Sequence, residues 1–212
     1  MPTEFTLSID AWSHGAPIPA KYAFGQPGED GPFAFGGNVN PAISWSGAPE
    51  GTQSFALLIR DPDVPSIGDD VNQADRTVPA DLPRVDFFHW VLVNIPADRN
   101  ELPEGISSTG ITARGKAVGD TDHGLTGAND YTSWFAGDAD MKGNYGGYDG
   151  PCPPWNDSIK HHYHVELYAL DVPTLDLSGP FTGRDVDKTL EGHVLAKATF
   201  MGTYSMNPDV PA

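Results

Sequence analysis

Cysteine is almost missing from this 212-residue chain. Cys152 stands alone, which excludes an internal disulfide and fits a reducing compartment. Basic residues are scarce too, with 12 Lys and Arg against 29 Asp and Glu and a formal charge of −17. Such a charge repels phosphate backbones and anionic membranes and offers no basic patch, so nucleic acid is set aside as a partner. A solvated acidic surface is the plain reading of the excess. No apolar run approaches the ~18 residues of a membrane-spanning helix; the longest lies near Phe55 to Ile59. The opening MPTEFTLSID has neither a basic start nor an apolar signal core, so the expectation is a cytoplasmic protein.

What is abundant points to β structure. The chain has 24 Gly and 20 Pro, an apolar fraction of 39% and 10% aromatics, enough for a real core cut by many turns. Neither a repeat nor a linker divides it, so a single domain over residues 1–212 is expected. Residues 4–10 alternate Phe5, Leu7 and Ile9 against Thr6 and Ser8, the period of a half-buried strand. Between Trp12 and Asn40 the pattern is loop-like, with a short edge strand expected around Lys21 and Tyr22. Ala42 to Trp45 reads as a strand closed by the turn at Ala48 to Gly51. Phe55 to Arg60 is apolar on both faces and predicts a central strand, ended by the prolines of Asp61-Pro62-Asp63-Val64-Pro65. Asp61 shares parity with Leu57 and Ile59.

Residues 66–86, with five aspartates and little periodicity, predict an exposed excursion. Phe87 to Ile95 predicts a second central strand, with His89 on the face of Val91, Val93 and Ile95. From Pro96 to Asn144 regular pattern is weak and Gly recurs, which predicts a long wrapped loop, including the stretch 107–144, with one short strand near Gly110 to Ala117. Helical spacing occurs once, in Val186, Leu190, Val194 and Leu195, and predicts a helix over Asp185 to Ala196 capped by Asp185. A last strand is expected from Ala198 to Tyr204.

The chain is organised around Tyr145 to Leu170. Gly146, Gly147, Gly150, Pro151, Pro153 and Pro154 fall within ten residues and predict a shaped loop. The pattern then becomes a strand with His161, Tyr163, Val165, Leu167 and Ala169 on one face and His162, His164, Glu166 and Tyr168 on the other. His161 and Tyr163 should therefore lie at a rim where a buried face emerges beside a rigid loop. Asp61 with Asp63, His89, and His161 with Tyr163 are three polar sites that each begin or end an apolar strand. A Tyr hydroxyl, imidazole N–H groups and amides freed by a Gly/Pro loop suit phosphate, and Asp61 can orient a histidine or receive an ammonium.

DPDVP at Asp61 to Pro65, HWVLVNIP at His89 to Pro96, and GPCPP with HHYHVELYALD between Gly150 and Asp171 resemble the signatures of the phosphatidylethanolamine-binding protein family, in its bacterial Raf-kinase-inhibitor-like branch. Gly36 to Leu57 and Gly192 to Tyr204 match as well, so the resemblance covers nearly the whole chain. It implies a mainly β fold of two antiparallel sheets in a Greek-key-like arrangement, with a C-terminal helical segment. It also implies a non-enzymatic binding protein with a small anion pocket for a phosphate-containing small molecule, a phospholipid head group or a nucleotide. Carried over residue by residue, the ligand site comprises Asp61, Asp63, His89, Gly150, Pro151, Cys152, His161 and Tyr163. No cofactor follows from it. Modulation of a kinase or protease, and a homodimer, are further options by family analogy.

Two other classes compete. A hydrolase would use Cys152 or a His/Asp pair, although a thiol between Pro151 and Pro153 reads more simply as a small hydrophobe. A metal protein would use His89, His161 and Asp61. Asp138, Asp140 and Asp149 have the outline of a calcium loop, spoiled by Lys142 where an oxygen ligand belongs.

Overall fold

A computed structural model describes residues 4–211. Numbered in chain order, β5 (Ser54–Pro65), β6 (Arg84–Pro96), β9 (Gly119–Thr121), β10 (Gly124–Thr126), β12 (His161–Leu170) and β13 (Val194–Tyr204) form one antiparallel sheet in the order β13-β12-β5-β6-β10-β9. A second antiparallel sheet has the order β1-β4-β7, from β1 (Thr6–Ser8), β4 (Ile43–Ser46) and β7 (Glu101–Leu102). Two pairs complete the set: β2 (Gly25–Gln26) with β3 (Ala34–Phe35), and β8 (Gly115–Lys116) parallel to β11 (Asn144–Tyr145). The helices are short, α1 (Tyr131–Trp134) and α2 (Gly183–Thr189). No helix among the described residues is long and apolar enough to cross a membrane.

The mainly β expectation holds, and the core explains why β5 and β6 are apolar on both faces. Phe55, Leu57, Ile59, Tyr163, Val165 and Leu167 meet Leu7, Ile43, Trp45 and Leu102 of the smaller sheet in one cluster. On the opposite face Ala56, Leu58, Phe88, Val91 and Leu170 pack against Val186 and Leu190 at α2. Each fully buried Leu, Ile or Phe contributes roughly 1.5–3 kcal/mol relative to exposure, so the central strands carry most of the apolar driving force.

Several sequence expectations are corrected. Pro62 and Pro65 do not end β5, which runs on to Pro65. Pairing to β12 stops at Arg60, leaving one edge of β5 free, and a register shift between Asp61 and Val64 sets two residues against one. A proline without an N–H is tolerated at such an edge bulge. On β6, register shifts opposite Ile59/Arg60 and Phe55/Leu57 break simple alternation. Val91 and Val93 consequently face the α2 side, whereas Trp90, Leu92 and Ile95 face the other cluster. His89 thus does not share the face of Val91 and Val93.

Lys21 and Tyr22 lie in a 3-10 turn, Ala20–Tyr22, whose carbonyls receive the amides of Gly37 and Val39. In α2, Asp185 is not the cap: its carboxylate reaches back to the N–H (3.0 Å) and hydroxyl (2.8 Å) of Thr182, which makes it the third residue of a capping box. The helix ends at Thr189, before Gly192 (φ +85°), so Val194 and Leu195 belong to β13. Gly183 is required where it stands, because a Cβ there would strike the Phe88 ring. Stretch 107–144 contains β8, β9, β10 and α1 in place of one short strand. The excursion after β5 is largely exposed yet pinned, since the Asn156 amide donates to the carbonyls of Asp70, Gln73 and Arg76 while its oxygen accepts the Asn72 N–H.

Candidate functional site

The ladder between β5 and β12 ends at Arg60 opposite His164. Beyond that point lies a cavity of about 420 Å³, lined by Asp61, His89, Cys152, Pro153, Pro154, His161 and Tyr163 among others. Residues from four separate stretches of sequence thus meet around one space.

At its floor Asp61 and His161 are almost wholly buried. Asp61 Oδ1 accepts the N–H of Asp63 at 2.8 Å, and Oδ2 accepts His161 Nδ1 at 2.6 Å. His161 Nε2 donates in turn to Asp157 Oδ2 at 3.1 Å, and Arg84 grips Asp157 with two bonds of 2.6 and 3.1 Å. Burial alone would lower the His161 pKa, but the Asp61 and Asp157 carboxylates outweigh it and raise it to about 9. The ring is an imidazolium at neutral pH, with both protons given to carboxylates. Asp157 is held below its usual range: burial pushes it up, and its bonds to His161 and Arg84 more than offset that.

His89 is arranged differently. Its Nδ1 donates to the Asp149 carbonyl at 2.8 Å, and burial, opposed by Asp61, lowers its pKa. The ring is therefore neutral, and Nε2 is an acceptor with no hydrogen-bond partner among the described residues. The Tyr163 ring lies edge-on to it at 5.2 Å. Tyr163 is 2% exposed, and its buried hydroxyl completes no well-formed hydrogen bond, although the Asp61 carboxylate is near enough to attract its proton. Burial, with Asp61 nearby, keeps that phenol protonated. A buried hydroxyl left unbonded costs about 1–3 kcal/mol, so its presence beside a cavity marks a place where an acceptor is expected.

The proline-rich loop supplies the remaining wall. Gly150 and Pro151 stand behind the cavity instead of lining it. The Gly150 carbonyl accepts from the Tyr131 hydroxyl at 2.8 Å, and the Pro151 carbonyl accepts the N–H groups of Phe24 and Gly25. A side chain at Gly150 would collide with the Tyr22 carbonyl. The Cys152 N–H makes no hydrogen bond among the described residues. Burial pushes the Cys152 thiol up to about 12, which disfavours the thiolate a nucleophile requires.

Asp63 is not brought to the cavity: its carboxylate holds the backbone N–H and the Nδ1 of His162, each at 2.8 Å. No three His, Cys, Asp or Glu among the described residues are grouped as a set that could hold a metal ion. Asp149 is buried against Lys116, and Asp138 accepts the amides of Asp140 and Met141, so the calcium-loop outline dissolves. Asp157 and Arg84 escaped sequence reasoning, although Asp157 precedes His161 by one four-residue step. Also missed was the aromatic wall of Phe24, Phe33, Phe35, Tyr131, Trp134 and Phe135, whose visible signal was the Phe-Ala-Phe run at residues 33–35.

A family model described as phosphatidylethanolamine-binding protein matches residues 8–205. A protein of Methanothermobacter thermautotrophicus, called a UPF0098 protein, is 34% identical over 198 residues, covering 93% of this chain and 97% of its own. The Escherichia coli UPF0098 protein YbhB is 29% identical, over 90% and 94%. Among solved structures, E. coli YbcL, described as a new member of the mammalian PEBP family, superposes with a TM-score of 0.67 at 26% identity, covering 96% of this chain and 99% of that one. A putative homologue from Chlamydia trachomatis gives 0.62 at 27%, over 95% and 97%.

Proposed function

This chain belongs to the phosphatidylethanolamine-binding protein family, and from that premise we propose that it is a non-enzymatic binding protein that holds a phosphate-bearing small molecule over Asp61, His89 and Tyr163. The observation that carries the reading is the Tyr163 hydroxyl, which completes no well-formed hydrogen bond, in the same cavity as the free Nε2 of His89. Tyr163 donates one hydrogen bond to the anion. His89 donates a second once it takes up a proton at Nε2, while Nδ1 stays on the Asp149 carbonyl. The Cys152 amide is a third donor of the loop. His161 has no N–H to spare and acts as a positioning residue that fixes Asp61. Because Asp61 faces the same space, the ligand must arrive with a proton or an amine on that side; a bare dianion would meet a carboxylate.

Titration calorimetry with inorganic phosphate and O-phosphoethanolamine tests this. Binding should be tighter at pH 6 than at pH 8, with proton uptake visible as a dependence of the heat on the buffer. His89→Gln and Tyr163→Phe should each weaken it roughly tenfold or more, since hydrogen bonds to a charged group contribute about 1.5–3 kcal/mol. Affinity that neither substitution changes rejects the site, and turnover of a phosphoester panel rejects the non-enzymatic part.

A further inference from the structure

The cavity changes character from floor to mouth. Phe33 and Phe35, at and beside β3, and Trp134 of α1 line its outer part and stay 44%, 51% and 54% exposed. Behind them Phe24 stacks on Tyr131 at 4.6 Å and 21°, and Tyr131 on Phe135 at 5.7 Å and 17°. Phe33 and Phe35 meet edge to face at 5.3 Å and 79°. Large aromatics left exposed together at one rim mark a surface that something covers. No Lys or Arg lines this space, so the outer chamber recognises shape and ring faces, not a second anion. Its volume of about 420 Å³ is at the small end of pockets that hold one drug-sized ligand.

We infer that the ligand is a compact amphiphile with a single flat aromatic body, seated against Phe33, Phe35 and Trp134 with its phosphate on the floor, and not a two-chain bilayer phospholipid. The inference rests on the proposed phosphate reading of the floor. Ring faces and edges favour another ring over an alkyl chain of equal area, because the quadrupoles of aromatic pairs add to burial. Continuity of the aromatic wall with the polar floor in one cavity, open at its rim, makes both parts belong to one occupant. The strongly acidic chain, at −17, is poorly suited to resting on an anionic membrane.

The test uses the whole protein with 1-naphthyl phosphate, butyl phosphate and 1-naphthol in calorimetry at one pH. Naphthyl phosphate should bind roughly tenfold tighter than butyl phosphate. Phe35→Ala and Trp134→Ala, both at exposed positions and checked for folding by circular dichroism, should each weaken naphthyl phosphate several-fold more than butyl phosphate. Equal affinity for the two phosphates overturns the aromatic body and leaves the phosphate reading standing. Naphthol binding as tightly as naphthyl phosphate does the reverse. Cosedimentation with phosphatidylcholine vesicles that Trp134→Ala abolishes would assign the rim to a lipid surface and overturn the inference.

Discussion

Two buried carboxylates at the same end of the molecule, Asp149 and Asp61, are equally shielded from water and differ in what surrounds them. Asp149 receives Asn38 Nδ2 (2.8 Å) and Lys116 Nζ (2.6 Å) on Oδ1 and Asn129 Nδ2 (2.9 Å) on Oδ2. None of those side chains is left without a partner, and none lines the cavity. Asp61 is held by His161 and the Asp63 amide, yet beside it the Tyr163 hydroxyl completes no well-formed hydrogen bond. A buried charge does not by itself mark a functional site; leftover hydrogen-bonding capacity around it does. The two networks are joined, because Asp149 exchanges both backbone bonds with His89, donating its N–H to the His89 carbonyl at 3.0 Å and accepting Nδ1 at 2.8 Å. The closed network therefore sets the ring that the open one presents.

The largest expected effect falls on the closed side. Asp149→Ala removes the partner of a largely buried Lys116 and three strong hydrogen bonds, and should cost about 3–5 kcal/mol in urea unfolding. A loss below about 1 kcal/mol would break the comparison, since Asp149 would then not be a structural hub.

Next in size is a pH dependence on the open side. The folded pKa of His161 is about 9, against 6.5 for the ordinary side chain. A raised pKa means that the folded protein binds the proton more tightly, so this stabilisation is complete below about pH 6.5 and is lost as pH rises through about 9. At roughly 1.4 kcal/mol per pKa unit it amounts to about 3 kcal/mol. Urea unfolding at pH 6, 7.5 and 9 should show the loss, and Asp61→Asn, which leaves only Asp157 against the ring, should flatten it. Imidazole NMR sharpens the contrast: at pH 7.5 His161 should be doubly protonated and His89 neutral. A His161 that titrates near pH 6.5 would remove the ion pairs from the argument.

Much of this was legible in the chain. The alternation from His161 to Ala169 placed His161 and Tyr163 on the buried face because β12 runs without a register shift until Ala169/Leu170. Asp61 was placed correctly because β5 alternates up to it. His89 was assigned to the wrong companions because β6 is bulged, and a bulge has no signature in hydrophobic period. The short strands within 107–144 are two- and three-residue pieces of Gly, Lys, Asp, Leu and Thr, fixed by neighbours and not by propensity. Asp63 looked equivalent to Asp61 two residues away; the bulge between Asp61 and Val64 instead gives it to His162. Hydrogen-bond saturation, which separates Asp149 from Asp61, depends on contacts between residues up to 111 positions apart and is invisible to local pattern.

The smallest change in stability carries the sharpest test. Tyr163→Phe deletes only a hydroxyl that completes no well-formed hydrogen bond in the fold, so nothing beyond its approach to Asp61 is lost and a buried polar group is removed. Stability in urea should be unchanged or raised by up to about 1 kcal/mol, while affinity for inorganic phosphate falls roughly tenfold or more. Asn129→Ala is the matched control: it breaks the bonds to Asp149 and to the Gly147 carbonyl and should destabilise the protein by about 1–3 kcal/mol. If Tyr163→Phe were the destabilising member of the pair, its hydroxyl would have a partner within the fold. The open network would then be as closed as its neighbour, and the cavity would lose its main donor.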